Sequence, residues 1–439
     1  MKTVLVLGAG LVTRPLVHYL LKHDIRVKVA SRTVSKADTL IDGHPNGEAI
    51  AWTVDQEDKL KDMIKDSDLV VSLLPANFHP VIAEHCIELG TNMATTSYVS
   101  PAMKALDGPA KENNIVILNE CGVDPGIDHM SAMRIVHDVE SKGGKITSFM
   151  SYCGGLPAPE ANDNPFGYKF SWSPKGVLLA GKNDAKYRKD NQEVDIEGKD
   201  LFDNHWEVDV PGFGKLEGYP NRDSLDYIDT YGFKEISTMF RGTLRNPGWC
   251  ETLKAIVDLD YVAIEEKDWS GKTYTDLGWE LLGQEPDGDL RAAFANKLGI
   301  KTDSHILDKF EWLGLLSDEA LPIEVGGAID VLTATMLDRM SYEEGERDML
   351  VLYHNFIAEY PGGKKEEITS TMIDYGIPNG DSSMSRTVRL PVAIGVRMIL
   401  EDKFTKPGVW VPVIPELYNP ILDELETLDI KCVENSKEI

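Results

Sequence analysis

Thr3-Val4-Leu5-Val6-Leu7-Gly8-Ala9-Gly10-Leu11-Val12-Thr13 is the stretch on which the fold turns: an apolar run, a glycine turn and the opening of a helix. A short run of this kind with no polar alternation reads as a strand buried on both faces. Gly8 permits the tight turn, and Gly10 lets backbone amides approach a pyrophosphate. The helix that follows presents the positive end of its dipole there. Gly8, Gly10, Leu11 and Val12 are therefore candidate dinucleotide contacts. Thr13 stands where the fingerprint expects a third glycine, and Pro15 falls in the first helical turn, where its missing N–H costs little. The plainer alternative is a strand-to-helix turn with no ligand, and the surrounding βαβ pattern weighs against it.

About twenty residues beyond the glycines, NAD-specific folds place an Asp or Glu on the ribose 2′-hydroxyl. Here the second strand ends in Ser31-Arg32-Thr33. A carboxylate would repel a 2′-phosphate, whereas Arg32 can pair with it and Ser31 and Thr33 can donate to it, so NADP(H) is favoured over NAD(H). The alternative for Arg32 is a solvated surface side chain. Two further strand-end loops, Leu74-Pro75-Ala76-Asn77 and Thr95-Thr96-Ser97-Tyr98, face the same crevice. Leu74, Pro75 and Ser97 are candidate contacts toward ribose and nicotinamide, with ordinary loop chemistry as the alternative.

Outward from this unit, strands are expected at Thr3–Leu7, Arg26–Ala30, Asp68–Leu74, Asn92–Thr95 and Ile115–Leu118, with helices at Leu16–Lys22, Phe78–Leu89 and Pro101–Glu112. That alternation predicts an α/β fold with a doubly wound parallel sheet of the Rossmann type. Past Asp128 the texture changes to a strand at Ile146–Tyr152 and a polar, aromatic, Gly/Pro-rich stretch from Gly154 to Pro220, suggesting a second, α+β domain. Helical patterns dominate from Glu251 to about Tyr342, and strands return at Asp348–Tyr360 and Glu366–Tyr375 before a helix at Ser385–Leu400. The expected layout is a dinucleotide domain over 1–125 plus about 385–439, an α+β substrate and dimerisation domain over 126–250 and 343–384, and a helical insertion over 251–342.

Composition removes other classes of answer. The 439 residues carry 45 basic and 72 acidic side chains, a net charge of −27, with no basic run, so no nucleic-acid or anionic-membrane partner is expected. The apolar run after Lys2 is interrupted by Gly8-Ala9-Gly10, far short of a membrane span or signal-peptide core. With neither feature expected, the setting is read as cytoplasmic, and five scattered cysteines without Cys-x-x-Cys spacing argue for reduced thiols and no metal site.

Glu120-Cys121-Gly122-Val123-Asp124-Pro125-Gly126-Ile127-Asp128-His129 resembles the signature of the saccharopine reductases, the glutamate-forming saccharopine dehydrogenases of lysine metabolism. The likeness extends through Cys153–Glu160, Asn164–Ser173, Tyr219–Ser224 and Arg241-Gly242-Thr243-Leu244-Arg245, and covers essentially the whole chain. It implies a homodimer and small-molecule substrates: saccharopine, glutamate and 2-aminoadipate 6-semialdehyde. It also implies that Asp124, Tyr98 and Cys153 match positions facing the reaction centre. Their ordinary pKa values of roughly 3.9, 10 and 8.5 leave none poised near neutrality without burial. Asp124 is the first candidate for proton transfer, and Ser97, Tyr98, Asp124 and Thr243 are implied substrate contacts.

A substrate carrying three carboxylates in an acidic protein needs local cations, and Arg222 and Arg241, in segments read as loop-like, are the candidate clamps. Their alternative is surface arginines paired with a neighbouring acid such as Asp223. Trp172 could wall the aliphatic chain or pack in the core. Asp128 reads as first-turn capping and His129 as a structural hydrogen-bonding residue. Two other readings stay open: a related enzyme reducing another imine, such as a polyamine precursor, and a protein that binds NADP without chemistry.

If Arg32 reads the 2′-phosphate, Arg32→Asp should swing cofactor preference toward NAD. Titrating both dinucleotides into the variant decides it, and unchanged NADP and NAD affinities would reject the assignment.

Overall fold

A computed structural model describes residues 1–439, which form two compact units: Met1–Lys145 with Met372–Val433, and Ile146–Thr371 with Glu434–Ile439. The first unit thus runs past residue 125 and resumes before 385. The helix Ile127–Ser141 stays with it by packing on the tail helix Pro415–Thr427, where Arg134 bonds Asn419 and Asp423 and His137 meets the Tyr418 hydroxyl.

The first unit is built on strands β1 (Thr3–Leu7), β2 (Arg26–Ser31), β3 (Gly47–Ala51), β4 (Leu69–Ser72), β5 (Asn92–Ala94) and β6 (Val116–Leu118). With the tail strand Gly408–Trp410 beside β6, they form a seven-stranded sheet in which every pairing is parallel, ordered tail strand, β6, β5, β4, β1, β2, β3. The sheet interior is Val4, Leu5, Val6, Leu7, Val27, Val29, Val70 and Val71, none with measurable exposure. Burial on both faces explains the unbroken apolar runs. β3 escaped the sequence reading because it is an edge strand with no fully buried residue, so no apolar run marks it. Helix α1 (Arg14–Lys22) opens two residues earlier than expected, with Pro15 in its first turn. The helix Ser383–Leu400 packs along it.

The second unit carries a nine-stranded mixed sheet. Its main path runs Trp206–Val210, Gly214–Pro220, Thr238–Arg245, Lys145–Pro157, Asp348–Glu359, Lys365–Tyr375 and Cys432–Glu438. A hairpin of Ala185–Lys189 and Gln192–Ile196 joins it at Thr238–Arg245. These hairpin strands lie in the stretch read as polar, aromatic and Gly/Pro-rich, since residues such as Lys189, Glu193 and Asp195 are exposed and leave no apolar run. The helices Trp249–Asp258, Tyr274–Leu282, Leu290–Leu298, His305–Leu313 and Ala328–Arg339 share one hydrophobic core with Phe166, Tyr168, Phe202 and Tyr219. The helical segment is therefore continuous in packing with Tyr219 of the sheet and with the aromatic side chains of the segments around it. No helix of either unit is long and apolar enough to cross a membrane.

Leu5 sits at the centre of the parallel sheet with 0% exposure. Leu5→Ala should cost roughly 3 kcal/mol of unfolding free energy through lost burial and a residual cavity, read from denaturant midpoints. A loss below about 1 kcal/mol would contradict the packing described.

Candidate active site

Because all strands of the first sheet run the same way, the loops following each of them leave at one edge. At β1, Gly8 has φ +118°, and a Cβ there would come within 3.2 Å of the Leu73 carbonyl oxygen, so only glycine fits. Its N–H donates to Ala30 O at 2.9 Å. A Cβ on Gly10 would meet nothing nearer than Thr13 Oγ1 at 3.9 Å, so the backbone there is open to an approaching group. Thr13 is fully buried, accepts the Gly10 N–H through Oγ1 at 3.1 Å and donates its own N–H to Gly10 O at 3.1 Å. The side chain that replaces the third glycine thus closes the turn on itself. Leu11 projects into solvent at the tip, beside Val12. Arg14 forms an ion pair with Asp381 at 2.7 Å.

At β2, Ser31 Oγ accepts the Thr33 N–H at 3.2 Å, and Arg32 is exposed at the start of the helix Val34–Ile41. That helix has no acidic residue in its first turn, so the local field favours an anion. β3 runs parallel to β2 with Ala51 opposite Ser31, and Trp52 donates its N–H to Ser31 O at 3.0 Å. The loop Trp52–Asp55, with exposed Val54, therefore leaves beside Arg32. Missing β3 in the sequence meant missing this loop.

At β4 and β5 the organising residue is His79, 1% exposed at the start of the helix His79–Leu89. One ring nitrogen meets Ser72 Oγ at 2.9 Å; the other meets Ser97 Oγ at 2.8 Å and Thr95 Oγ1 at 3.3 Å. Burial pushes its pKa down to about 4, so the ring is neutral near pH 7, with one nitrogen donating and the other accepting. Leu74 and Pro75 leave β4 just before it. Ser97 is thereby fixed beside Tyr98, whose hydroxyl donates to Asp124 Oδ1 at 3.4 Å.

Behind that pair lies a buried polar cluster. Glu120 accepts the Val99 N–H at 2.7 Å with one carboxylate oxygen and meets His129 Nε2 at 2.8 Å with the other. Asp128 Oδ2 lies 3.7 Å from His129 Nδ1, while Asp128 Oδ1 accepts the Gly126 N–H at 2.5 Å. Burial works to raise the Glu120 pKa, but the hydrogen bond and charge of His129 outweigh it and hold the carboxyl below its ordinary value. Val99 follows Tyr98 and Gly126 follows the cis Asp124–Pro125 bond, so one buried cluster anchors both sides of the Tyr98–Asp124 pair.

In the second unit, Thr238–Arg245 pairs in parallel with Lys145–Pro157, setting Thr243 opposite Cys153 and Arg241 opposite Ser151. Arg241 lies within this strand rather than in a loop. It is 3% exposed, with its guanidinium 4.3 Å from the Tyr227 ring centroid. Gly242 misled the sequence reading: a Cβ there would come within 2.8 Å of Tyr219 O, so this glycine marks close strand packing, not a turn. Arg222 is exposed at φ +55°, next to Asn221, whose N–H donates to Arg241 O at 2.9 Å. Trp172 is half-buried against the hydrophobic core.

Sequence reasoning passed over Arg245. Residues 241, 243 and 245 share a strand face, and Arg245 is 4% exposed with its guanidinium 4.9 Å from the Tyr168 ring and 5.6 Å from the Trp249 ring. One Nη donates to Leu244 O at 2.7 Å, and Nε is buried without an acceptor. Its spacing of four residues from Arg241, two full strand periods on one face, was the available signal. The structure thus brings Ser97, Tyr98 and Asp124 together in the first unit, and Cys153, Arg222, Arg241 and Thr243 in the second.

Comparison with known proteins is consistent along the chain. A family model described as the saccharopine dehydrogenase NADP binding domain matches residues 4–118, and one described as the saccharopine dehydrogenase C-terminal domain matches residues 122–430. The NADP(+), L-glutamate-forming saccharopine dehydrogenase of Schizosaccharomyces pombe is 39% identical over 99% of both chains. The Saccharomyces cerevisiae protein of the same description is 41% identical over 97% of both. A solved apo structure of the L-Glu forming saccharopine dehydrogenase from S. cerevisiae superposes with a TM-score of 0.91, at 39% identity, over 100% of each chain.

The His79 environment carries a pH response. Its folded pKa of about 4 lies below the unfolded value near 6.5, so the unfolded chain binds the extra proton between the two. The stability from the neutral ring is present above about pH 6.5 and lost as pH falls toward 4, by roughly 3 kcal/mol in total. Unfolding of wild type and His79→Gln across that window checks this: the variant should show a shallower slope, and parallel slopes would refute it.

Proposed function

The chain belongs to the saccharopine dehydrogenase family, and on that premise we propose that it interconverts saccharopine with L-glutamate and 2-aminoadipate 6-semialdehyde, using NADP(H), in lysine metabolism. The observation that carries this reading is the Tyr98–Asp124 pair at the strand-end edge of a dinucleotide-binding sheet. NADP(H) fits the residues present: a glycine turn that admits no Cβ at Gly8, and exposed Arg32 at a helix start free of acids. Gly8, Gly10, Leu11 and Val12 would hold the pyrophosphate, Ser31, Arg32 and Thr33 the 2′-phosphate, and Leu74, Pro75 and Ser97 the nicotinamide end. A bound dinucleotide supplies hydride chemistry.

What remains is the work of side chains. The glutamate amine must reach the aldehyde unprotonated, and the carbinolamine oxygen must gain a proton to leave as water. We assign that transfer to Asp124, oriented by the Tyr98 hydroxyl, with Cys153 as a supporting polar group. Ser97, Thr243 and Trp172 are read as substrate contacts, and Arg222, Arg241 and Arg245 as cations for its carboxylates. Buried Arg245, flanked by aromatic rings, has the environment in which a charge-assisted hydrogen bond is strongest. The family resemblance also supports a homodimer, and free cysteines accord with the cytoplasmic setting expected from the sequence.

The test is NADPH consumption by the purified chain. Turnover is expected with glutamate plus the semialdehyde and not with lysine or a polyamine in place of glutamate, and no turnover on any pair would overturn the reading. Asp124→Asn should lower kcat by about tenfold while leaving NADPH affinity intact, short of the roughly hundredfold or more expected where the electrophile is weaker than an iminium. Arg245→Met should raise the saccharopine KM by roughly tenfold or more, the scale of a lost charge-assisted hydrogen bond.

A further inference from the structure

The helix Ser383–Leu400 carries three arginines, and two of them are balanced by acids. Arg386 pairs with Asp374 at 3.4 Å and donates to Tyr375 O and Leu428 O; Arg397 pairs with Glu424. Arg389, between them, is different. It is 9% exposed, and its one hydrogen bond runs from Nη1 to Thr96 Oγ1 at 2.7 Å. Its Nε is buried without an acceptor, as is that of Arg397, but Arg397 has Glu424 as a counter-charge and Arg389 has none. Burial alone acts on its charge, lowering the pKa to about 10, with no acid to offset the desolvation. The group still carries its proton at neutral pH.

A buried cation without a counter-charge is costly to the fold, and such groups are kept where something else compensates. Thr96 lies in the loop after β5, between Thr95, which bonds His79, and Ser97-Tyr98. A Cβ built on Gly122 would touch Thr96 Cβ at 3.3 Å, so the segment leading to Asp124 adjoins the same threonine. The guanidinium is thus tied to the strand-end edge assigned above to nicotinamide and substrate. Five donors in a planar fork, one of them engaged, match an oxyanion.

We propose that Arg389 is an oxyanion-binding residue of this site, taking a substrate carboxylate or a phosphate oxygen of the dinucleotide. The proposal deepens the functional reading and rests on it for the identity of the anion.

Arg389→Gln and Arg389→Lys test it. Glutamine should weaken at least one ligand by roughly tenfold, the loss expected for a charge-assisted contact. A raised KM for saccharopine or glutamate at saturating NADP(H) identifies the carboxylate source, and a weaker NADPH Kd with those KM values unchanged identifies the phosphate source. Every constant staying within about twofold in a folded R389Q overturns the proposal. Removing the uncompensated charge should leave the ligand-free melting temperature equal or higher. If R389Q does not fold, R389K replaces it: a point charge should keep part of the binding, and wild-type values for all ligands would reject the role. Thermal shifts with glutarate and with inorganic pyrophosphate need no turnover. A smaller shift in R389Q than in wild type would support Arg389 even if the chain acted on another substrate, and equal shifts together with unchanged constants would refute it.

Discussion

The parallel register of the first sheet is the constraint on which the other features rest. β1, β2, β3, β4, β5 and β6 all run one way, so the glycine turn, the Arg32 loop, the His79 network and the Asp124 loop emerge at a single edge. An antiparallel pairing at any of these positions would send the next loop to the opposite edge. The apolar strands therefore act on function indirectly: burial on both faces fixes direction, and direction gathers the polar groups. Gly8 shows how tightly the two are joined, since its turn passes so close to Leu73 O that any side chain would push the β1 and β4 strand ends apart.

Charge is managed by a second rule, in which buried polar groups are held neutral or matched. His79 stays neutral and spends both ring nitrogens on hydroxyls that shape the loop after β5. His129 is matched by Glu120 and Asp128, whose remaining oxygens grip the backbone on either side of the Tyr98–Asp124 pair. Geometry at that pair is thus set by side chains that need never touch a substrate. Arg245 and Arg389 depart from the rule, each a buried guanidinium with an Nε that has no acceptor. Both departures fall within or beside the groups assigned to chemistry, as expected where stability gives way to function.

Much of this was legible in the sequence, for reasons that separate its signals. The Gly8–Thr13 turn and the Ser31-Arg32-Thr33 step follow directly from strand period and turn chemistry, both local. Asp124, Tyr98 and Cys153 were reached only through resemblance, because nothing local marks a carboxylate as meeting a tyrosine 26 positions earlier. β3 and the hairpin near residues 185–196 were invisible because neither carries an apolar run: β3 has no fully buried residue, and the hairpin buries only Ala185 and Tyr187. Arg241 was misplaced into a loop because Gly242 suggests a turn in sequence while serving strand packing in space. Arg389 was out of reach because its meaning lies in what does not surround it, and partner absence cannot be read from spacing.

On this reading the sheet edge directs hydride chemistry onto an imine formed from glutamate and an aldehyde. The most direct measurement uses NADPH deuterated at the transferring C4 position, with glutamate, 2-aminoadipate 6-semialdehyde and the purified chain, followed by mass spectrometry of the product. Saccharopine should carry one deuterium on the former aldehyde carbon, next to the new C–N bond. Unlabelled product, or deuterium found only in the alcohol from direct reduction of the aldehyde, would contradict it.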